Sequence, residues 1–406
     1  MNIEAFFNGD DAKRFFFPGK VFIGKGIATK AAELVAQHDS VAIVVDRVFA
    51  ESAIHQNIRD AVAPGRSISW VVQGAPYVQD VMSFIAKMKE IPAVIVSIGG
   101  GSAADFAKAI ILHELFGTVD GVGVGKRRGL SPRPGAKRPV YVAIPTTAGS
   151  GAEASRYYVT YDKNTHGKVY GKTWTTVADW ILLDPEMLST MPTPTLVACA
   201  FDAFVHFFET FIAKHERSSF GEMFSLDGIP RIMGTLNTIV VHGCRDDKAH
   251  EELLYAATLA GMAISNVRTG NIHEAAGALL ELTDLSHPET LFVFFRDAVE
   301  QYLGCIGDRE RRLVSHLRLV PAFADFASME DVIRWWEALF AKVGLDSRVR
   351  DSIVRLKPSL DKVRDHVFQR IFADKVWITK ESPLALDEPA IRELIDRSLA
   401  RFGISE

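Results

Sequence analysis

Apolar positions along the chain follow two regimes that change near residue 190. In the first regime, short uninterrupted apolar runs alternate with helical patterns. The clearest runs are Val41-Ala42-Ile43-Val44-Val45, Ala93-Val94-Ile95-Val96-Ser97-Ile98 and Val140-Tyr141-Val142-Ala143-Ile144. A strand apolar at consecutive positions has both faces covered, as in a parallel sheet flanked by helices. Amphipathic stretches such as residues 78–89 lie between the first two runs, so β-α-β units in a doubly wound sheet are expected. Trp180-Ile181-Leu182-Leu183 predicts one more short strand, closed by Asp184-Pro185. After Met191-Pro192-Thr193-Pro194 the strand signals fade. Helical patterns over 196–214, 248–266, 288–303, 329–342 and 390–402 replace them. The expected architecture is therefore an α/β domain over residues 1–190 and an all-α domain over 191–406. No internal repeat is visible, and the Gly/Arg/Pro-rich segment from Gly117 to Arg138 predicts an exposed loop.

Composition narrows the class. At 406 residues two domains of ordinary size are natural, and 48% hydrophobic residues supply ample core. The net charge of -4 gives no overall basic field to attract nucleic acid. The most basic stretch, Lys126-Arg127-Arg128 through Lys137-Arg138, is broken by Gly and Pro, as in a solvated loop. Cys199, Cys244 and Cys305 form no CxxC pair, which argues against a disulfide scaffold or a thiolate metal site and for a reducing compartment. The N-terminal MNIEAFFNGDDAKRFFF has no uninterrupted apolar core, and no apolar run approaches the roughly 20 residues of a membrane span. A cytoplasmic protein without membrane partners is expected.

Candidate chemistry begins where an apolar strand runs into a helix, at Gly99-Gly100-Gly101-Ser102-Ala103-Ala104-Asp105. Three consecutive glycines let backbone N–H groups approach a phosphate, and the helix start adds its positive dipole end. Ser102 can cap that helix or donate to a phosphate, and Asp105 and Lys108 complete the pattern GGGSxxDxAK. A tight turn would use the same glycines, and the pattern is not the GxGxxG of the ordinary dinucleotide fingerprint. Asp46 ends the first strand. A carboxylate there can accept from ribose hydroxyls and repel a 2′-phosphate, favouring NAD(H) over NADP(H), although a strand-ending Asp also suits a turn. The loop Pro145-Thr146-Thr147-Ala148-Gly149-Ser150-Gly151-Ala152-Glu153 after the third strand is rich in small donors that suit a cofactor.

The second half offers metal ligands. Asp202 and His206 stand four apart in a helical stretch, which stacks them on one face. His273 and His287 both lie in apolar surroundings, where an unpaired imidazole needs a partner. One carboxylate and three imidazoles suit Fe(II) or Zn(II), with positions left open for a substrate oxygen. His38, His55, His242 and His250 lie in polar or helix-flanking stretches and are expected at the surface.

Together these motifs resemble the iron-containing (group III) alcohol dehydrogenase family. GGGSxxDxAK, PTTAGSGAE, Asp184-Pro185-Glu186, DxxxH followed by Glu209, and the His273/His287 pair occur in family order over roughly residues 15 to 345. The resemblance implies a dinucleotide-binding N-terminal domain, a helical metal domain and an active site in the cleft between them. It implies Asp202, His206, His273 and His287 as ligands of one divalent metal, Fe(II) ahead of Zn(II). It implies Asp46, Gly99, Gly100, Gly101, Ser102, Asp105, Thr146, Thr147, Ser150 and Lys168 as cofactor residues for NAD(H), Lys168 near the nicotinamide ribose. The expected activity is interconversion of a small polar alcohol and its aldehyde or ketone by a homodimer or larger homo-oligomer. A zinc glycerol-dehydrogenase-like enzyme, a dehydroquinate-synthase-like enzyme and a non-catalytic metal and nucleotide sensor are the alternatives. Two departures bear on substrate and proton handling: Gly277 stands where many members carry a second histidine, and Ser286-His287-Pro288 replaces the usual PHG. Arg156, Tyr157 and Arg268 flank the motifs and are expected near the cleft, where they could read a polar or anionic substrate.

Overall fold

The computed structural model describes residues 15–88, 91–119, 132–165, 167–214, 219–374 and 377–404. The basic cluster at 126–128 and the first fourteen residues lie outside the described residues. Six strands form one parallel sheet: β1 (Lys20–Ile23), β2 (Val41–Asp46), β3 (Ser67–Val72), β4 (Val94–Gly99), β5 (Val140–Pro145) and, later in the chain, β8 (Trp180–Leu183). Their order is β1-β8-β5-β4-β2-β3. The three strongest apolar runs form the centre, where β4 and the first five residues of β2 are buried throughout. The helices of this half are α1 (Lys30–Val35), α2 (Ala53–Asp60), α3 (Val78–Lys87) and α4 (Gly101–Phe116). Strands β1 and β3 escaped the sequence reading for one reason. Both are edge strands, largely half-exposed or exposed, so their sequences need not be continuously apolar. A separate antiparallel hairpin, β6 (Tyr157–Tyr161) with β7 (Lys168–Lys172), was likewise not anticipated.

The sheet order fixes where a ligand can sit. From β2 the chain moves outward to β3, whereas from β4 it moves the opposite way to β5. The adjacent carboxyl ends of β2 and β4 therefore form a topological switch point, a crevice that open parallel sheets use for ligands. Asp46 closes one of these strands and Gly99 the other.

The remainder is helical: α5 (Thr193–Ile212), α6 (Ser219–Leu236), α7 (Asp247–Asn266), α8 (Asn271–Leu280), α9 (His287–Leu303), α10 (Gly307–Leu317), α11 (Met329–Lys342), α12 (Leu345–Val354), α13 (Leu360–Ala373) and α14 (Glu388–Arg401). The expectation that no apolar segment approaches membrane-spanning length is corrected by α5, a 20-residue helix apolar enough to cross a bilayer by length and composition alone. Its most apolar window is 89% buried inside the fold, so it is the central core helix. One face carries Phe201 and Phe204, packed on Phe295 and Trp336 with ring centroids 4.8 to 5.5 Å apart. Asp202, His206 and Glu209 form a polar stripe at i, i+4 and i+7 along the same helix, all buried.

Candidate metal centre and cofactor crevice

Three helices deliver the four sequence-predicted ligands to one place. Helix α5 brings Asp202 and His206, α8 brings His273, and the first residue of α9 is His287. The Nε2 atoms of His206, His273 and His287 lie 3.6, 3.5 and 3.9 Å from Asp202 Oδ1. Donors about 2.1 Å from a shared tetrahedral ion stand about 3.4 Å from one another. Asp202, His206 and His273 offer atoms all within 4.8 Å of one another, so small adjustments close these three around one cation, whereas His287 stands beside that group and would have to move in to join it. Buried Asp202 Oδ1 and His273 Nε2 face each other without a normal hydrogen bond, a costly arrangement that a cation relieves. The His287 side chain is 33% exposed whereas Asp202, His206 and His273 are nearly sealed, so the cluster opens on the His287 side.

Glu209 is the functional residue the sequence reading underused. It is fully buried and accepts from the backbone N–H of Gly270 and of Ile272, both at 2.8 Å, which fixes its carboxylate. Its Oε2 then lies 2.6 Å from His273 Nδ1. Carboxylate, Nδ1 and an Nε2 aimed at the cluster form the arrangement by which outer carboxylates orient metal-binding imidazoles. The signal was present in the sequence: Glu209 stands seven residues after Asp202, on the same helix stripe.

The electrostatics follow from burial and these neighbours. Burial pushes the His206 imidazole down to about 4, and the same effect lowers the partly exposed His287, so both favour the neutral form near pH 7. Burial acts the same way on His273, but Glu209 and Asp202 outweigh it and raise His273 to about 9. Burial would raise the Asp202 carboxyl, yet the surrounding imidazoles hold it well below the usual carboxylate range.

At the switch point the glycine loop and the second loop interlock. A Cβ on Gly99 would lie 2.7 Å from Ala103 Cβ and 3.1 Å from Asp46 Cβ; on Gly100 it would lie 2.8 Å from Thr147 Cγ2. A Cβ on Gly101 would meet Ser150 Oγ at 3.0 Å, and Thr146 N–H donates to Gly99 O at 3.1 Å. The glycines thus serve loop packing as well as any phosphate. Of the two roles open to Ser102, the cap is not taken: Gly100 is the N-cap of α4, with no side-chain cap hydrogen bond. The N-terminal N–H groups of that helix therefore keep no capping side chain between them and the crevice. Asp46 accepts from Val48 N–H through Oδ1 at 2.9 Å.

The second loop also ties the two halves together. A Cβ on Gly149 would strike the Cys199 carbonyl of α5 at 2.7 Å, and one on Gly151 the Ala257 carbonyl of α7 at 2.3 Å. Asp105 turns to the hairpin, accepting from Val159 N–H at 3.0 Å, with Lys108 Nζ at 3.8 Å. Burial raises its carboxyl to about 6. Lys108, fully buried, donates to the carbonyls of Ser155 and Tyr157 at 2.8 and 2.6 Å. Lys168 on β7 reaches toward α8, its Nζ 3.6 Å from the position a Cβ on Gly277 would occupy.

Several sequence expectations need revision. Arg268 is engaged in ion pairs with Asp374 and Glu381, and Arg156 packs over the Tyr157 and Trp174 rings. These contacts hold both side chains against the fold. His55 and His250 are not surface residues. Buried His55 bonds Ala50 O at 2.6 Å and Ser69 Oγ at 2.9 Å. Buried His250 meets Pro185 O at 3.1 Å and accepts from Arg245 Nε at 2.9 Å.

Comparison with known proteins agrees with this construction. The iron-containing alcohol dehydrogenase pattern matches residues 18–185, and the C-terminal pattern of the Fe-containing alcohol dehydrogenase family matches residues 196–395. The chain is 25% identical over 395 residues to the 1-propanol dehydrogenase PduQ of Salmonella typhimurium, covering 95% of this chain and 99% of that one. It is 29% identical over 291 residues to the NAD-dependent methanol dehydrogenase of Bacillus methanolicus, covering 67% and 71%. Its fold superposes on the iron-containing alcohol dehydrogenase of Thermococcus thioreducens with a TM-score of 0.77 at 21% identity, covering 95% of this chain and all of that one. A parallel-sheet domain, a helical domain and family matches across nearly the full length lead to one assignment: the chain belongs to the iron-containing alcohol dehydrogenase family.

Proposed function

We propose that the protein is an NAD(H)-dependent alcohol dehydrogenase or aldehyde reductase in which Asp202, His206, His273 and His287 hold one divalent metal, Fe(II) in preference to Zn(II). The observation that carries this reading is the convergence of one carboxylate and three imidazoles within 3.9 Å of Asp202 Oδ1. When bound, the metal supplies Lewis acidity toward a substrate oxygen and the nicotinamide supplies or accepts hydride. The chain's own groups then bind and orient. Gly99 to Ser102 and the start of α4 receive the pyrophosphate, and Thr146, Thr147 and Ser150 line the adjoining wall. Asp46 accepts from the ribose hydroxyls through its remaining carboxylate oxygen and disfavours a 2′-phosphate. Glu209 holds the His273 ring so that Nε2 faces the cluster. Glycine at 277 itself offers no side chain to relay a proton, which would leave through water or a ribose hydroxyl. The NAD-dependent relative in Bacillus methanolicus is consistent with the cofactor choice.

The test is His273→Ala. It should lose stoichiometric metal in elemental analysis and all NADH oxidation with aldehydes, while NADH binding by fluorescence persists. Full turnover in this variant would overturn the ligand assignment.

A further inference from the structure

One turn beyond His273 on α8, the missing side chain of Gly277 leaves a gap with two cations facing it. Lys168 Nζ, from β7 of the α/β half, lies 3.6 Å from where a Cβ on Gly277 would stand. Arg370 Nη2, from α13 of the helical half, lies 3.9 Å from the same point. The two come from opposite halves of the chain, and neither belongs to the metal cluster. Glu281 accepts from Arg370 Nη1 at 3.2 Å and lies 2.9 Å from His366 Nε2. That pairing fixes the guanidinium while its Nη2 edge faces the gap, and a guanidinium fork matches an oxyanion with parallel N–H bonds. Lys168 feels the charges of three nearby carboxylates, Glu274, Glu281 and Asp105, and the opposing charge of Arg370. Arg268 is occupied by its ion pairs and Arg156 packs over aromatic rings, whereas Lys168 and Arg370 both face the Gly277 position.

We propose that the Gly277 gap is the subsite for a terminal oxyanion, so that the physiological substrate is a short aldehyde or alcohol bearing a carboxylate, phosphonate or sulfonate. This rests on the dehydrogenase reading above. One helical turn, about 5–6 Å, separates Gly277 from His273, so only a short chain would link a group at the cluster to an oxyanion at the gap. Arg370 acts here as a specificity-determining residue.

The experiment compares NADH oxidation with butanal, succinic semialdehyde and phosphonoacetaldehyde in the metal-loaded enzyme, for wild type, Arg370→Gln and Gly277→Ala. A Cβ at 277 makes only ordinary contacts, so Gly277→Ala should fold even if Arg370→Gln, which leaves Glu281 with His366 alone, does not. Wild type should prefer one of the anionic aldehydes to butanal by roughly ten- to hundredfold in kcat/KM, the range of a charged hydrogen bond. Both variants should shed that preference through KM while their kcat with butanal and their NADH affinity stay unchanged. Calorimetry of phosphonoacetate binding to the NADH-loaded wild type gives a readout free of turnover, and the signal should vanish in Arg370→Gln. Which anionic aldehyde wins distinguishes a carboxylate from a phosphonate as the natural head group. Butanal reduced as well as either anionic aldehyde overturns the subsite and leaves the dehydrogenase reading standing. No turnover of any aldehyde by enzyme that binds metal and NADH overturns both.

Discussion

At the scale of single residues, the arrangement around His273 explains why a carboxylate outside the ligand set matters. Glu209 is buried, locked by two backbone N–H groups, and paired with His273 Nδ1. Replacing it with Gln keeps the shape but removes the charge, and an amide nitrogen would face donors that now meet oxygen. Glu209→Gln should therefore weaken metal binding about ten- to hundredfold, the usual cost of losing an outer-shell partner. A competition titration against a chelator reads this directly, and affinity within twofold of wild type would show that Glu209 does not orient the ligand. The four side chains that converge on Asp202 Oδ1 were legible as candidate ligands because two lay at helical spacing and two were histidines in apolar stretches. Glu209 was visible only as part of a family pattern, since an i+7 carboxylate gains meaning only once α8 is seen to pack on α5. The same limit applies to Arg370, 97 residues after His273, which no local pattern connects to the site. His55 and His250 were misread because flanking polarity says little about a ring whose own nitrogens find carbonyl and hydroxyl partners in the interior.

At the scale of elements, the second loop is a clamp. Gly151 adopts φ +57 and lies so close to α7 that a Cβ would sit 2.3 Å from the Ala257 carbonyl and 2.6 Å from Gly261 N. These are backbone atoms of a buried helix, which cannot swing aside as a side chain can. Gly151→Ala should destabilise the fold by at least about 2 kcal/mol, combining overpacking with left-handed strain. Thermal unfolding followed by circular dichroism checks this, and an unchanged melting temperature would mean that the contact is slack. Element type was readable wherever burial was two-sided or helical periodicity was long: β2, β4, β5 and α11 follow their patterns to within a residue or so. It was not readable at the edges of the sheet or in the β6–β7 hairpin, whose residues mix burial and exposure. The hairpin carries Lys168, so a part of the site lay on an element that periodicity did not disclose.

At the scale of the whole molecule, the proposed reading gives the sheet crevice to the cofactor and the three-helix junction to the metal, where a single ion would join α5, α8 and α9. Two of the candidate ligands favour the neutral form in ordinary buffers, because burial holds His206 at about 4 and also lowers the partly exposed His287. His273 is the exception, raised to about 9 against burial by Glu209 and Asp202. In the metal-free protein below pH 9 its Nε2 carries a proton that an incoming ion must displace. Metal affinity should therefore rise with pH by about tenfold per unit between pH 6 and 8 and level off as pH passes 9, since one proton leaves for each ion bound. Because an ion that binds only the folded chain stabilises it by about 2.7 kcal/mol at a hundredfold excess over Kd, the melting-temperature gain at fixed metal concentration should grow over the same interval. Chelator-buffered titrations at pH 6, 7 and 8, paired with melting curves, measure both quantities. An affinity that stays flat across these three pH values would show that His273 enters the site as a neutral ligand, with Glu209 holding it by hydrogen bonding alone.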